Sequence, residues 1–257
     1  MKRSKWAKWS VQLVLRTKAC RRCIFPFGLE MSTPIRFHIS AAVAEAPIIF
    51  TCSPRRLVPM LAIVAIGLLG GTFDPPHIAH LLAGEVAYRQ LGLDRVLFVP
   101  AGSPWQKAGK AVSLAEQRWQ MTRLATEGIN YFEADDREVI REGLTYTVET
   151  LATYPEEEEL WLILGADAAR GLLTWERADE VLSRARVAVL PRPGVDPQEV
   201  EDAIGPSLWL DMAPVAISGT DIRQRVATGV GYRFMVTEAV YRYIEAEQLY
   251  LTSPIEA

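Results

Sequence analysis

The sequence predicts an α/β fold built on a doubly wound, mostly parallel sheet. Short apolar runs recur six times within residues 60–257, and amphipathic stretches separate them. Strands that alternate with helices join by right-handed crossovers, which cover both faces of a parallel sheet. The composition, 49% hydrophobic and 23% charged, is typical of a globular chain. The longest apolar run, Val58–Leu69, is shorter than the roughly 20 residues of a membrane-spanning helix, so we expect no membrane partner.

The predicted elements follow one another in a regular order. Ile78–Leu91 has apolar residues at helical spacing, and Gly92 is placed to end that helix. Ser113 and Glu116 form a predicted capping box, which opens a helix to about Ala125. Two further helices are predicted over Trp175–Ala185 and Val236–Glu247. The predicted strands are Ala62–Leu69, Arg95–Pro100, Tyr131–Ala134, Leu160–Leu164, Arg186–Leu190 and Leu208–Asp211.

Residues 1–59 differ in composition from the rest of the chain. They hold eleven basic and two acidic residues, whereas residues 60–257 hold 17 basic and 29 acidic residues. With no sustained helical or strand period, they are predicted to be a basic, disordered extension, and Met60 is a candidate start codon. Cys20 and Cys23 have the spacing of half a metal or redox site, but no second pair completes it. Unpaired cysteines favour a reducing cytoplasm.

The first candidate site lies after the first predicted strand, in the run Gly-Gly-Thr-Phe-Asp-Pro-Pro-His-Ile-Ala-His, residues 70–80. Ligands of such sheets bind beyond the carboxyl ends of the strands. We expect Gly70 and Gly71 to allow a sharp turn and the close approach of an anion. The next helix would offer free N–H groups and a positive dipole end to phosphate. The run is neither a dinucleotide fingerprint nor a P-loop.

Two histidines stand within that run. His77 and His80 are three residues apart, so their imidazoles share one helix face. They are open to three interpretations: phosphate ligands, a zinc pair, or partly buried core histidines. Zinc needs further ligands, and the chain beyond Met60 has no other His and no Cys. Convergence with the glycines and the helix N-terminus favours an anion site.

Two further segments carry groups suited to phosphate. In Ile-Ser-Gly-Thr-Asp-Ile-Arg, residues 217–223, Ser218 is a good helix cap and, with Arg223, a candidate phosphate ligand. Lys107 follows the second strand on a loop punctuated by Pro and Gly. A solvated lysine and a phosphate clamp both remain open there.

These segments resemble the motifs of the nucleotidyltransferase superfamily. Residues 70–80 are similar to its T/H-x-G-H signature, and residues 217–223 are similar to its I-S-S-T-x-I-R motif. Arg-Glu-Gly-Leu-Thr-Tyr-Thr-Val-Glu-Thr-Leu at 141–151 and Gly-Ala-Asp at 165–167, with Trp175, narrow the resemblance. They resemble the family of bacterial nicotinate-nucleotide adenylyltransferases, and the resemblance spans nearly all of residues 60–257.

Three positions depart from the family pattern. Ala79 replaces the glycine of the signature, which adds a methyl group where the backbone nears the nucleotide, and we expect modest crowding. Gly219 replaces a serine, which removes a hydroxyl. The loop that carries Lys107 reads Pro-Trp-Gln-Lys in place of Pro-Pro-His-Lys, so its histidine is missing.

The resemblance implies a Rossmann-like nucleotidyltransferase fold and adenylyl transfer from ATP to nicotinate mononucleotide. The products would be deamido-NAD and pyrophosphate, formed without a covalent enzyme intermediate. Mg²⁺ would be held mainly by the ATP phosphates, with no metal site of the protein's own. The implied catalytic residues are His77, His80, Lys107 and Arg223. The residues implied to bind ATP are Gly70, Gly71, Thr72, Phe73, Gly165, Asp167, Ile217 and Ser218. Those implied to bind the mononucleotide are Thr145, Tyr146, Thr147 and Trp175.

Other functions stay open at this point. One alternative is a related transferase, acting on nicotinamide mononucleotide or on phosphopantetheine. Another is a nucleotide-binding regulatory module without catalysis, and a third is a zinc hydrolase. We expect a cytoplasmic enzyme of NAD biosynthesis with no nucleic-acid partner, and leave a homo-oligomer open.

Overall fold

Six strands form one parallel sheet in the part of the chain that the structure describes. The structure is a computed structural model, and it describes residues 64–103 and 112–251. The predicted extension, residues 1–59, and Lys107 lie outside the described residues. The strands are β1 (Ala65–Gly71), β2 (Arg95–Pro100), β3 (Phe132–Ala134), β4 (Glu159–Gly165), β5 (Arg186–Leu190) and β6 (Leu208–Trp209).

The strand order confirms the predicted doubly wound sheet. It runs β3-β2-β1-β4-β5-β6, and every pair of neighbours is parallel. The order reverses between β1 and β4, so the switch point lies at the carboxyl ends of these two strands, where such sheets bind ligands. The helices are α1 (Ile78–Leu91), α2 (Ala115–Thr126), α3 (Thr147–Leu151), α4 (Ala166–Arg170), α5 (Ala178–Arg184), α6 (Pro197–Ile204), α7 (Gly219–Ala227) and α8 (Glu238–Ala246).

Alternate side chains of the strands enter two different cores. Leu68 and Leu162 pack on one face with residues of α3, α4, α5 and α6, whereas Leu69 and Ile163 pack on the other face with residues of α1. Successive side chains of a strand point to opposite faces, so strands covered on both sides are apolar throughout. A third cluster joins α2, α7 and α8, and it contains Ile222 of α7. Beside the sheet, this cluster supports the start of α7.

The bounds of α1, β2 and β5 agree with the predicted ones. Gly92 ends α1 in the left-handed region at a φ of 65°, as expected for a glycine C-cap. Ser218 caps α7, because its side chain accepts a hydrogen bond from the backbone N–H of Asp221 at 3.1 Å. Across the described ranges, none of the helices combines the length and apolar character needed to cross a membrane.

Other predicted elements were wrong in part. The capping box at Ser113 does not form: α2 begins after Leu114, and the backbone of Ser113 bonds to Asp74 and Arg118. The helix predicted from Trp175 begins only at Ala178, because Trp175 instead closes a 3₁₀ turn. Three helices, α3, α4 and α6, were not predicted, and each is only five to eight residues long. Such short helices give little periodic signal.

Candidate active site

A polar pocket of about 220 Å³ lies beyond the carboxyl end of β1, between the N-termini of α1 and α7. Both helix ends present backbone N–H groups without partners inside the helix, which suits an anion. Seven of the residues predicted to bind ATP or to act in catalysis line it: Thr72, Phe73, His77, His80, Ile217, Ser218 and Arg223. Segments about 140 residues apart in the chain therefore meet in one pocket.

The two histidines stack in the wall of this polar pocket. Their ring centroids lie 3.7 Å apart at an interplanar angle of 21°. His77 caps α1, and its backbone N–H donates to Nδ1 of His80 at 3.2 Å. His77 is buried, and its Nδ1 has no hydrogen-bond partner within the described ranges. Stacking and this hydrogen bond thus join the pair at the start of the helix.

The charge state of His77 is set by its surroundings. Burial lowers its pKa from 6.5 to about 4, and the positive charge of Arg192 lowers it further in the same direction. Its imidazole is therefore neutral at pH 7 in the free protein, with one nitrogen able to donate a hydrogen bond. Negative phosphate groups in the pocket would oppose this shift.

Phe73 makes the turn that was expected of the two glycines. Its φ is 49°, in the left-handed region that residues other than glycine seldom adopt, whereas neither Gly70 nor Gly71 has a positive φ. The buried Phe73 ring packs edge-on against His80, with centroids 4.9 Å apart. A Cβ at Gly71 would lie only 3.1 Å from that ring. Gly71 therefore leaves room for this ring, and the turn expected at the two glycines lies at Phe73 instead.

Asp74 connects the loop after β1 to three distant segments. Its carboxylate accepts hydrogen bonds from the Tyr250 hydroxyl at 2.6 Å and from the Ser113 N–H at 3.2 Å. Its carbonyl accepts from Nη1 of Arg223 at 2.7 Å. Burial, followed by the Asp74 charge, raises the pKa of Tyr250, which keeps the hydroxyl a donor. A Cβ at Gly219 would lie 2.8 Å from the Asp74 carbonyl, so glycine permits this close approach of α7.

An apolar pocket of about 280 Å³ opens beside the polar one, at the carboxyl ends of β1, β2 and β4. Thr72 lines both pockets, so the two share a wall. Glu138 also lines the apolar pocket, where burial raises its pKa although the Thr150 hydroxyl donates to it at 2.7 Å. The predicted residues in this wall are Gly70, Gly71, Thr72, Thr145, Tyr146, Thr147 and Trp175.

Two predicted residues line neither pocket, and one cannot be placed. Gly165 ends β4, and a Cβ there would lie 3.3 Å from Nε of Arg192. Asp167 is exposed in the first turn of α4. Lys107 lies in residues 104–111, outside the described ranges.

Sequence reasoning missed several residues of the site. Arg192, in the wall of the polar pocket, closely follows the carboxyl end of β5, and that position was a signal that could have found it. Asp74 and Tyr250 gave no such signal, since their contact joins positions 176 residues apart. Within residues 64–103 and 112–251, no group of three or more His, Cys, Asp and Glu residues could hold a metal ion.

The polar pocket and the apolar pocket meet beyond the carboxyl ends of the strands, at the switch point of the sheet. Doubly wound α/β proteins bind nucleotides and other ligands at this place, and the two helix N-termini there suit phosphate. The cytidylyltransferase-like family model matches residues 68–225. The chain belongs to this family.

Curated proteins that are similar to this chain share one name. A protein of Desulfitobacterium hafniense strain DCB-2, named "Probable nicotinate-nucleotide adenylyltransferase", is 40% identical over 197 residues, which cover 72% of this chain and 95% of the relative. A protein of the same name from Thermoanaerobacter sp. strain X514 is 39% identical, with 72% and 93% covered.

Solved structures show the same fold. Plasmodium falciparum nicotinic acid mononucleotide adenylyltransferase in complex with NaAD aligns with a TM-score of 0.63 and 14% identity, covering 73% of this chain and 97% of that one. Its complex with APC aligns with a TM-score of 0.62 and 15% identity over the same shares. Identities this low bear on the fold alone.

Proposed function

We propose that this chain is a nicotinate-nucleotide adenylyltransferase of NAD biosynthesis. It transfers the adenylyl group of ATP to nicotinate mononucleotide and forms deamido-NAD and pyrophosphate. The observation that carries the proposal is the shared wall at Thr72, which joins a pocket for phosphates to a pocket for an aromatic ring. Relatives about 40% identical over nearly their whole length bear the name of this activity.

The reaction is an in-line displacement at phosphorus. An oxygen of the mononucleotide 5′-phosphate attacks the α-phosphorus of ATP, and a new P–O bond forms. The bond from the α-phosphorus to the bridging oxygen breaks, and pyrophosphate leaves with its electron pair. No residue of the chain is covalently modified, so the protein contributes orientation and charge.

The polar pocket supplies these contributions. We assign the transferring and leaving phosphates to His77 and His80, whose stacked rings lie at the N-terminus of α1. Ser218 and Arg223 hold the triphosphate from the N-terminus of α7. On the family resemblance alone we assign Lys107, which lies outside the described residues, to the triphosphate as well. His77 is neutral before binding and donates one hydrogen bond, and phosphate charge then draws its pKa upward.

The apolar pocket holds the mononucleotide. Trp175 is half-buried against the sheet core and stacks on the nicotinate ring, while the backbone around Thr147 meets the carboxylate. Thr145 and Tyr146 complete the wall beside it. Gly165 and Asp167 line neither pocket but lie at the carboxyl end of β4, and we assign them to ATP, with Asp167 on a ribose hydroxyl.

We propose that Mg²⁺ binds to the ATP phosphates rather than to side chains of the protein. Asp74 is the one carboxylate that lines the polar pocket in the described residues, and it already accepts hydrogen bonds from Tyr250 and Ser113. The other polar groups are neutral or cationic, which suits phosphate and leaves the cation to phosphate oxygens and water. Bound there, Mg²⁺ would neutralise part of the triphosphate charge.

The dependence of the reaction on ATP favours a cytoplasmic location for the protein.

The test is pyrophosphate release by purified protein with ATP and Mg²⁺, supplied with nicotinate mononucleotide or nicotinamide mononucleotide. We expect release with a clear preference for the acid. Glu138 lines this pocket, and a charged carboxylate there would repel the nicotinate carboxylate and so disfavour nicotinate mononucleotide. The rates with the two mononucleotides therefore test the expected preference against this opposing effect. Equal rates would show a dual-specificity enzyme. Bound ATP without release from either substrate would support the regulatory-module alternative instead.

A further inference from the structure

Arg118 is a buried cation that the proposed mechanism does not use. It belongs to α2, and only 1% of the residue is exposed. Its guanidinium donates to four backbone carbonyls, those of Ser113, Thr72, Ala101 and Gly102. The donor–acceptor distances are 3.0, 3.0, 2.5 and 2.8 Å in that order. All the bonds are to backbone, so none depends on the identity of a partner side chain.

Two of these four residues line the pockets. Thr72 lines the two pockets together, and Ala101 lines the apolar one. Gly102 packs so closely on the next wall segment that a Cβ there would lie 2.0 Å from the carbonyl oxygen of Glu138. One side chain therefore ties the end of β1 to the end of β2 and, through Gly102, to the segment that carries Glu138.

The bond to Thr72 also orients a peptide unit in the polar pocket. In a trans peptide the carbonyl and the N–H point in opposite directions, so the N–H of Phe73 faces away from Arg118. Phe73 holds a φ of 49°, a sparsely populated conformation that persists only where its surroundings enforce it. Arg118 holds the Thr72–Phe73 peptide by its carbonyl oxygen. On the other side of this peptide, the Phe73 ring packs against His80 and Phe98.

The charge of Arg118 is costly to bury, because no carboxylate accepts directly from it in the described residues and burial lowers its pKa. Its hydrogen bonds to four backbone carbonyls offset that cost, and loss of the side chain would take this donor from all four. The rigid fork of a guanidinium also holds these carbonyls in fixed relative positions.

We propose that Arg118 is a positioning residue for adenylyl transfer: its guanidinium fixes the Thr72–Phe73 peptide and the wall shared by both pockets. This inference rests on the proposed function. Arg118 contacts no substrate and acts through the carbonyls that it holds. Both substrates contact the shared wall, so loss of Arg118 should impair the reaction with respect to ATP and to the mononucleotide. Loss of a residue from one pocket should impair it with respect to one substrate only.

The test compares Arg118→Lys and Arg118→Met with the wild type and with Leu93→Ala. Leu93 is buried just before β2, at the end of the sheet opposite the two pockets, so Leu93→Ala reports the effect of destabilisation alone. At a temperature well below every unfolding midpoint, we expect Arg118→Met to lower kcat about 100-fold or more, since a misplacement of about 1 Å can cost that much. Arg118→Lys should lose at least about 10-fold, and kcat/KM should fall by similar factors for ATP and for the mononucleotide. Leu93→Ala should keep the wild-type kcat.

A second readout does not require catalysis. Isothermal calorimetry with inorganic pyrophosphate measures the polar pocket directly, and we expect a dissociation constant at least about 10-fold higher for Arg118→Lys. A folded Arg118 variant with kcat and pyrophosphate affinity within about threefold of Leu93→Ala would overturn the inference. A wild type that binds pyrophosphate but releases none from ATP would refute the proposed function, and the calorimetry would still decide the role of Arg118.

Discussion

Acid should destabilise the wild-type protein more than a His77→Gln variant. The folded protein holds His77 neutral, with a pKa of about 4, whereas the unfolded chain protonates it near 6.5. Between these values the unfolded state binds more protons, so stability is lost as the pH falls from 6.5 towards 4. A glutamine side chain does not titrate, so the variant lacks this loss.

The size of the effect follows from the two pKa values. At pH 7.5 both states are almost fully deprotonated at His77, and the contribution to the free energy of unfolding is near zero. At pH 4.5 it reaches about 2.5 kcal/mol against the folded state. The fall in unfolding free energy between these pH values should thus be about 2.5 kcal/mol greater for the wild type. Other titrating groups contribute equally to both proteins and cancel in the comparison.

The assay is urea unfolding of both proteins at pH 7.5 and 4.5, with NMR titration of the imidazole protons as an independent check. The chain has only three histidines, so the resonance of His77 is assigned by its absence from the variant. Equal pH dependence of the two proteins, or a His77 pKa of 6 or above, would refute the argument from burial. Added pyrophosphate should raise the measured pKa, because the bound anion favours the imidazolium.

Three other substitutions test separate contacts. His80→Ala should lower kcat about 100-fold or more, as for the loss of one preorganised donor, and near-normal turnover by the folded variant would refute its assignment. Arg192→Ala should raise the pKa of His77 in the NMR titration and weaken pyrophosphate binding about 10-fold. Arg186→Ala, which removes an exposed ion pair with Glu159 on the neighbouring strand, is its matched control and should change neither. Tyr250→Phe should cost about 1–3 kcal/mol of unfolding free energy, because Asp74 keeps only the Ser113 N–H as a donor to its carboxylate; an unchanged thermal midpoint would argue against that bond.

The fold was predictable where local chemistry decides the element. The continuous apolar runs of β2 and β5 gave correct bounds because both faces of these strands are buried. Gly92 marked the end of α1 because a left-handed cap favours glycine. Ser113 misled for the opposite reason: its backbone bonds to Asp74 and Arg118, and these contacts decide where α2 begins.

The site was predictable to the same extent. His77, His80, Ser218 and Arg223 stand in short motifs after strand ends, and the structure places them in one pocket. Arg118 could not be recognised from sequence, because an arginine inside an amphipathic helix is usually solvated. Its burial is a property of the folded arrangement, in which α2 carries it beneath the ends of β1 and β2.

The bond between Tyr250 and Asp74 has a consequence for synthesis. A ribosome makes the chain from its N-terminus, so the loop that contains Asp74 emerges long before position 250 is translated. Throughout that interval the carboxylate lacks the hydroxyl that binds it in the folded protein, even though β1 and β2 can already pair. The loop that contains Asp74 therefore gains this hydrogen bond among the last steps of co-translational folding, and a nascent chain halted before Tyr250 would lack it.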